Sequence, residues 1–478
     1  MSPKLEYAVS PPAMGRIRHM HFVGIGGAGM GGIAELVHNL GYQVTGSDVS
    51  VNSMVQRLSG LGIQVQQGHD SVYAKGCDVI IVSSAVSADN PELIYAHEQH
   101  IPIVPRAEML AELMRFRYGI AIAGTHGKTS TTSLIASVLA KAGLDPTFVI
   151  GGKLNSIGAN AQLGSGRYLV AEADESDASF LHLQPMMAVL TNIDHDHMST
   201  YGNDFSRLRD TFVEFLHHLP FYGLAVVCID DPEIRGILDN IQRPVLTYGF
   251  DDEAQVRASE LRQEGNTTYF KVALPSATDL LDIRLNMAGK HNVLNALAAL
   301  AVAYELGVSL DVMQEALSTF QGVARRLQQY GLIEVGNKSV LMMDDYAHHP
   351  TELRASIDAV KQGWPEKRLV LVFQPHRYSR THDLFDDFVR ALADVEVLLL
   401  LEVYPADEVP ISGADSIDLC RSIRARGSVD PMLVKNRDEL VATLKNVLAD
   451  NDLILTLGAG DIGQMAAELP RCLKECSA

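Results

Sequence analysis

A lysine and a threonine behind a tight glycine turn, in the stretch AGTHGKTST (Ala123–Thr131), are the first residues able to do chemistry. An apolar run, IAIA, enters Gly124, Thr125, His126, Gly127, Lys128, Thr129 and Ser130, and the helix pattern TTSLIASVLAKAG follows. Backbone N–H groups in such a turn point at phosphate oxygens, and the helix N-terminus adds partial positive charge. Lys128 has the reach for β- and γ-phosphates, and the Thr129 hydroxyl suits a magnesium ion. The usual spacing would put glycine at position 122, where this chain has Ile122, so the loop is the shorter form GTxGK[ST]. The expected ligands are ATP and Mg2+.

About a hundred residues earlier stands a second cradle of different design, GIGGAG, with Gly24, Gly26, Gly27 and Gly29 between a strand and a helix pattern. Asp48 closes the next apolar run, nineteen residues beyond Gly29. By motif this predicts a dinucleotide such as NAD. The physics requires only a pyrophosphate on the helix N-terminus, which a UDP-linked sugar also carries. Diphosphate binding is the expectation.

Acids follow where magnesium would want oxygen ligands. RYLVAEADESD offers Glu172, Asp174, Glu175 and Asp177, one of which should face the lysine loop. NIDHDHM offers Asn192, Asp194, His195, Asp196 and His197. GKHNVLNALAA opens a helix with His291 and Asn292, and Asn295 one turn on; these amides suit an adenine edge, with N-capping by Asn292 as the alternative. DDYAHHP supplies Asp344, Asp345, Tyr346, His348 and His349, and FQPHRYSRT supplies His376, Arg377 and Arg380. Two arginines three apart suit a carboxylate or phosphate through forked hydrogen bonds; a solvated surface pair is the alternative. No Ser/His/Asp nucleophile arrangement accompanies them, and none is needed if ATP does the activating.

The elements that must position these groups alternate throughout: a short apolar run, small or polar residues, then an amphipathic helix. That alternation predicts parallel sheets with crossover helices, and ligands gather at the carboxyl ends of such strands. With 478 residues, 47% hydrophobic and 20% charged, the expectation is three α/β domains. A seam falls at RFRYG (115–119) and another near GVARRL (322–327), giving 1–118, 119–324 and 325–478. A net charge of −19 argues against a nucleic-acid partner, because phosphate backbones demand clustered Lys and Arg. Five scattered cysteines suggest neither a zinc site nor a disulfide framework. The first twenty residues hold no apolar run before a cleavage-like site, and runs such as VEVLLLLEVY are too short to span a bilayer. The expectation is a cytoplasmic protein without membrane insertion, monomeric or weakly homodimeric.

Together HFVGIGGAGMGGIAE, GSD, SSAVSADNPE, AGTHGKTSTT, EADESDASFLHL, TNIDHDHM, HNVLNA, DDYAHHPTE, FQPHRYSRT and GAGDIG resemble the Mur ligase family, from about residue 16 to 465. The resemblance implies an N-terminal Rossmann-like domain for a UDP-sugar, a central P-loop ATPase-type domain with a parallel or mixed sheet, and a C-terminal Rossmann-like domain. It implies peptidoglycan precursor synthesis, in which ATP drives L-alanine onto the lactyl carboxylate of UDP-N-acetylmuramate through an acyl phosphate. The NAD expectation would then be right in its physics and wrong in its ligand. By matched motif, Lys128 stabilises the migrating phosphoryl group, while Thr129, Glu172 and His197 meet magnesium. His291, Asn292, Asn295, Arg326 and Asp345 serve ATP. Gly24, Gly26, Gly27, Gly29, Asp48, Ser83 and Ser84 serve the UDP-sugar. Tyr346, His348, Arg377 and Arg380 serve the amino acid. The family pattern has alanine where this chain has His195, so His195 competes with His197 for the metal role. A sister activity, attaching a recycled tripeptide to the same UDP-sugar, is the alternative; its N-terminal loop usually carries Cys and Phe where this chain reads GIGGAGMGG.

Overall fold

The computed structural model describes residues 14–83, 85–156, 159–275 and 279–475. Ser84, one of the expected UDP-sugar residues, lies outside the described residues. Three sheets form among those described, so the α/β class and the three-part architecture read from the strand–helix alternation hold.

The first sheet runs Gln64–Gln67, Gln43–Asp48, His19–Val23, Val79–Val82, Ile103–Pro105, with every neighbouring pair parallel. Strand order reverses between His19–Val23 and Val79–Val82. A crevice forms at such a switch point, which is where open α/β sheets bind ligands. GIGGAG leaves the carboxyl end of His19–Val23 here, beside Ser83 at the end of its neighbour. Helix Ala28–Asn39 follows at once and buries Met30, Ile33, Ala34, Leu36 and Val37.

The second sheet is mixed and ten-stranded among the described residues. Its order is Leu281–Leu285, Thr267–Ala273, Val256–Glu264, Val245–Gly249, Leu224–Cys228, Met187–Leu190, Tyr118–Ala123, Tyr168–Glu172, Thr147–Leu154, Ala159–Gln162. Tyr118–Ala123 pairs in parallel with Met187–Leu190 on one side and Tyr168–Glu172 on the other. The lysine loop therefore emerges between the two strands that end in the acidic clusters. These central strands are buried on both faces, and that is why they read as unbroken apolar runs.

The third sheet runs Gln328–Val335, Lys338–Asp345, Leu453–Leu457, Leu369–Phe373, Val397–Leu401, Met432–Val434. Its first strand is an antiparallel edge and the others are parallel. Apolar cores cover both faces, one with Phe373, Phe388 and Leu400, the other with Val370, Leu399 and Leu469.

The chain divides into two compact units. One holds Met1–Ser259, Val272–Leu281 and Leu294–Phe320; the other holds Glu260–Lys271, Asp282–Val293 and Gln321–Ala478. Part of the middle block thus belongs with the last. The amide of Gln263 donates to the Ala359 carbonyl at 2.8 Å, and the Gly265 N–H donates to the Gly363 carbonyl at 3.2 Å. No helix among the described residues is long and apolar enough to cross a membrane.

Candidate active site

The lysine loop is held open from below by the strand next to it. Thr125 N–H donates to the Asn192 carbonyl at 3.1 Å, and His126 N–H to Asn192 Oδ1 at 2.7 Å. The Thr191 hydroxyl and the Asn192 amide donate to the His126 carbonyl, at 2.7 and 3.0 Å. Gly127 ends the loop at φ 82°, a left-handed conformation that favours glycine. A Cβ there would lie 2.6 Å from Asn295 Oδ1, so this glycine is required twice over. Asn295 Oδ1 also accepts from the Thr131 hydroxyl at 3.1 Å, which brings this expected ATP residue against the loop. Lys128 then starts helix Lys128–Lys141, with Thr129 and Ser130 buried behind it.

Lys128 is pinned inside this turn. Its ammonium donates to the carbonyls of Gly124 (2.6 Å) and Thr125 (3.0 Å) and to both carboxylate oxygens of Glu175 (2.9 and 2.7 Å). Burial works against the charge on Lys128, but Glu175 and Asp174 outweigh it and hold the ammonium above its ordinary range. Burial pushes the Glu175 carboxyl up to about 7, against the pull of Lys128. Asp174 stays below the usual carboxylate range despite burial, because Lys128 and then Arg106 favour its anion. Arg106 Nη2 donates to Asp174 Oδ2 at 3.1 Å. The Tyr201 hydroxyl donates to the Glu175 carbonyl, and the Thr200 hydroxyl to the Ser176 carbonyl at 2.6 Å, so the segment after His197 braces the acidic turn.

Glu172, expected at the metal, ends its strand and accepts from the Gly151 N–H at 2.7 Å. His197 has a left-handed backbone, φ 54°, with Nε2 3.5 Å from Asp196 Oδ2. His195 lies flat on Phe205, ring centroids 3.9 Å apart and planes 6° apart. The groups in contact with the loop are the Glu175 carboxylate, the Thr191 hydroxyl and the Asp194 carboxylate, which lies 3.0 Å from the His126 ring. This mostly oxygen donor set fits Mg2+, which takes one or two carboxylates beside substrate phosphates.

The first loop is built differently. Asp48 Oδ2 accepts from the Gly26 N–H at 2.8 Å, while Oδ1 accepts from the N–H and hydroxyl of Ser50. A Cβ on Gly26 would lie 2.8 Å from that Asp48 oxygen. Gly27 caps helix Ala28–Asn39 with no side-chain hydrogen bond, and a Cβ on Gly24 would meet Ser83 at 3.2 Å. A cation does come close: Arg106 Nη1 lies 3.3 Å from where a Gly29 Cβ would be. One guanidinium thus stands between the start of this helix and the acids at Lys128.

In the other unit, Asp345 is buried, accepting from the N–H groups of Leu327 (2.6 Å) and Ala347 (2.8 Å). Burial pushes its carboxyl up to about 6, with Arg326 opposing. Arg326 and Arg325 both lie over the Tyr346 ring, at 5.3 and 5.1 Å. His291 is pushed down to about 4, chiefly by burial and then by Arg326, so its ring is neutral at physiological pH. The Asn292 amide donates to the Ala288 carbonyl at 2.8 Å. His348 Nδ1 lies 3.0 Å from the Tyr346 carbonyl, and its ring meets Tyr346 edge-on. Arg380 is buried on helix Tyr378–Asp383, and Arg377 precedes that helix.

Sequence reading left open which acid meets Lys128, and it missed Arg106. Arg106 carried a faint signal: a lone arginine opening a helix directly after a strand of the first sheet.

Three family models match: the Mur ligase family catalytic domain over residues 19–118, the Mur ligase middle domain over 122–303, and the Mur ligase glutamate ligase domain over 325–460. The chain belongs to the Mur ligase family, the ATP-dependent amide ligases of peptidoglycan precursor synthesis. Among solved structures it is similar to a UDP-N-acetylmuramate–alanine ligase from Thermotoga maritima, with 28% identity, 95% of this chain and 98% of that one covered, and a TM-score of 0.80. A murein peptide ligase from Psychrobacter arcticus matches at 25% identity over 96% of this chain and 100% of that one, with a TM-score of 0.71. A UDP-N-acetylmuramate:L-alanyl-gamma-D-glutamyl-meso-diaminopimelate ligase from Neisseria meningitidis matches at 30% identity over 65% of this chain and 100% of that one, with a TM-score of 0.59.

Proposed function

We propose that this ligase joins L-alanine to the lactyl carboxylate of UDP-N-acetylmuramate, with ATP converted to ADP and phosphate. The observation that most favours it is the Arg106–Asp174 pair. It links the helix start at the glycine loop to the acids around Lys128 within one compact unit. Two anion cradles joined this way suit a reaction in which a nucleotide sugar and a nucleoside triphosphate react with each other. The likeness to the alanine ligase over 95% of the chain favours the same amino acid.

Amide formation in water needs a leaving group on the carboxylate. The lactyl carboxylate oxygen attacks the γ-phosphorus, ADP leaves, and an acyl phosphate results. The alanine amine then adds to the acyl carbon, and the tetrahedral intermediate expels phosphate. Catalysis of the first step is positioning and charge neutralisation. Lys128 exchanges its carbonyl and Glu175 partners for phosphoryl oxygens. Backbone N–H groups at the start of helix Lys128–Lys141 face the phosphates, while those of Thr125 and His126 hold the loop to Asn192, and Asn295 braces it. Mg2+ would be held by Thr129, Glu172 and His197 and would neutralise phosphate charge. His291, Asn292, Arg326 and Asp345 keep the remaining ATP roles. Gly24, Gly26, Gly27, Gly29, Asp48 and Ser83 serve the UDP-sugar; Tyr346, His348, Arg377 and Arg380 serve alanine. Residues 1–118, 119–324 and 325–478 are the corresponding domains, acting in the cytoplasm as a monomer or weak homodimer.

Phosphate release with ATP, magnesium and UDP-N-acetylmuramate, measured for L-alanine, glycine, L-serine and an L-alanyl-γ-D-glutamyl-diaminopimelate tripeptide, tests this. L-alanine should give the highest kcat/KM. Higher turnover with the tripeptide would overturn the alanine assignment in favour of the sister activity.

A further inference from the structure

Arg377 has φ 71° and ψ 135° at the mouth of helix Tyr378–Asp383, a backbone conformation that residues with a Cβ rarely adopt. Such strain persists only where the surroundings over-determine it. Here they belong to one loop. Arg377 N–H donates to the Tyr404 carbonyl and Tyr404 N–H to the Pro375 carbonyl, each at 2.8 Å, and the His376 and Tyr404 rings stack 5.5 Å apart and 8° from parallel. Left-handed Ala406 and Asp407 then turn the loop back and deliver Glu408. Its carboxylate accepts from the Ser379 N–H at 2.9 Å and the Ser379 hydroxyl at 2.7 Å, and one oxygen lies 3.8 Å from Arg377 Nη1.

We propose that Glu408 is a positioning residue for amino-acid binding: by occupying both Ser379 donors it locks the strained Arg377 and leaves the guanidinium as the group offered to the substrate carboxylate. The inference rests on the amino-acid role given to Arg377 above. Glu408 already fills both Ser379 donors, so they do not compete with Arg377 for the substrate carboxylate. With an internal carboxylate already there, the incoming one is directed to the arginine fork. At 3.8 Å, Glu408 orients Arg377 by charge and leaves its hydrogen-bond donors to the substrate.

The test is steady-state phosphate release by the full-length protein with UDP-N-acetylmuramate and ATP, varying L-alanine. Glu408→Ala should raise the KM for alanine at least tenfold while the KM values for ATP and the UDP-sugar stay within twofold. Glu408→Gln, which keeps one acceptor for Ser379 but not the charge, should recover only part of that loss. Glu408→Ala combined with Arg377→Ala should be no worse than Arg377→Ala alone, since one residue acts through the other. An unchanged alanine KM, an equal rise in all three, or additive losses would each overturn the proposal. A crystal structure of Glu408→Ala reads the same point without substrate: Arg377 should relax to negative φ, and retention of φ near 71° would refute the lock. If wild-type protein releases no phosphate with any amino acid, the function proposed above fails, while this structural readout still judges Glu408.

Discussion

The two glycine loops lie in one compact unit, each between a parallel strand and a helix, yet they hold charge in opposite ways. In the first, an acid fills the turn: Asp48 accepts from Gly26 and Ser50, and the loop carries no cation of its own. In the second, a cation fills the turn, and Glu175 with two carbonyls holds it. The first suits a diphosphate that is carried through the reaction unchanged, because fixed N–H groups suffice for holding. The second suits a phosphoryl group that changes owner, because an ammonium held in the turn stands ready where charge develops. Arg106 touches both neighbourhoods.

Four experiments would break or sharpen this contrast. Lys128→Ala should reduce phosphate release by about a thousandfold or more, the scale of losing a transition-state donor, while UDP-sugar affinity stays within threefold. Turnover within tenfold of wild type would remove the distinction between the loops. Gly26→Val should weaken UDP-sugar binding by about a hundredfold, because the added carbons collide with Asp48 and displace the backbone, with ATP affinity unmoved. Calorimetry showing equal losses for both ligands would mean the loops are not separate sites.

Arg106→Ala should cost about tenfold, the effect of a partly exposed charged hydrogen bond, and should do so for both nucleotide ligands. An effect on one ligand only would confine Arg106 to one loop. The smallest effect concerns pH. The Asp345 carboxyl is raised from 3.8 to about 6 in the folded protein, so the folded state binds its proton more tightly than the unfolded chain. Its contribution is most favourable below the unfolded value and is lost as pH rises through about 6. Melting temperatures of wild type and Asp345→Asn at pH 5 and 7.5 should therefore diverge by roughly 2–4 °C in favour of the amide at the higher pH. Divergence in the other direction would show that the hydrogen bonds to the Asp345 anion outweigh its burial.

Both loops were legible because glycine spacing is a backbone requirement, written in the residues that must form the turn. The strand–helix alternation carried the three sheets for the same reason. The partner of Lys128 was not legible. EADESD places four acids within six residues, and which one reaches the ammonium depends on where the strand stops. It stops at Glu172, whose side chain turns to Gly151, and the following turn then delivers Glu175. Arg106 meets Asp174 across 68 residues, and Glu408 meets Ser379 across 29. No periodicity announces such pairs, because only the tertiary fold brings them together.

The ties from Gln263 and Gly265 to the end of helix Pro350–Gly363 bear on how this chain can be taken apart. Trp364, the single tryptophan of the sequence, packs on the core beneath that helix, and its indole edge lies 3.8 Å from where a Gly265 Cβ would be. A fragment beginning at residue 325 would leave that edge wet and strip the carbonyls of Ala359 and Gly363 of these partners. Anyone expressing the last third of the molecule alone should keep the strands Val256–Glu264 and Thr267–Ala273 that flank Gly265, and the fluorescence of that one indole would report whether the graft has seated.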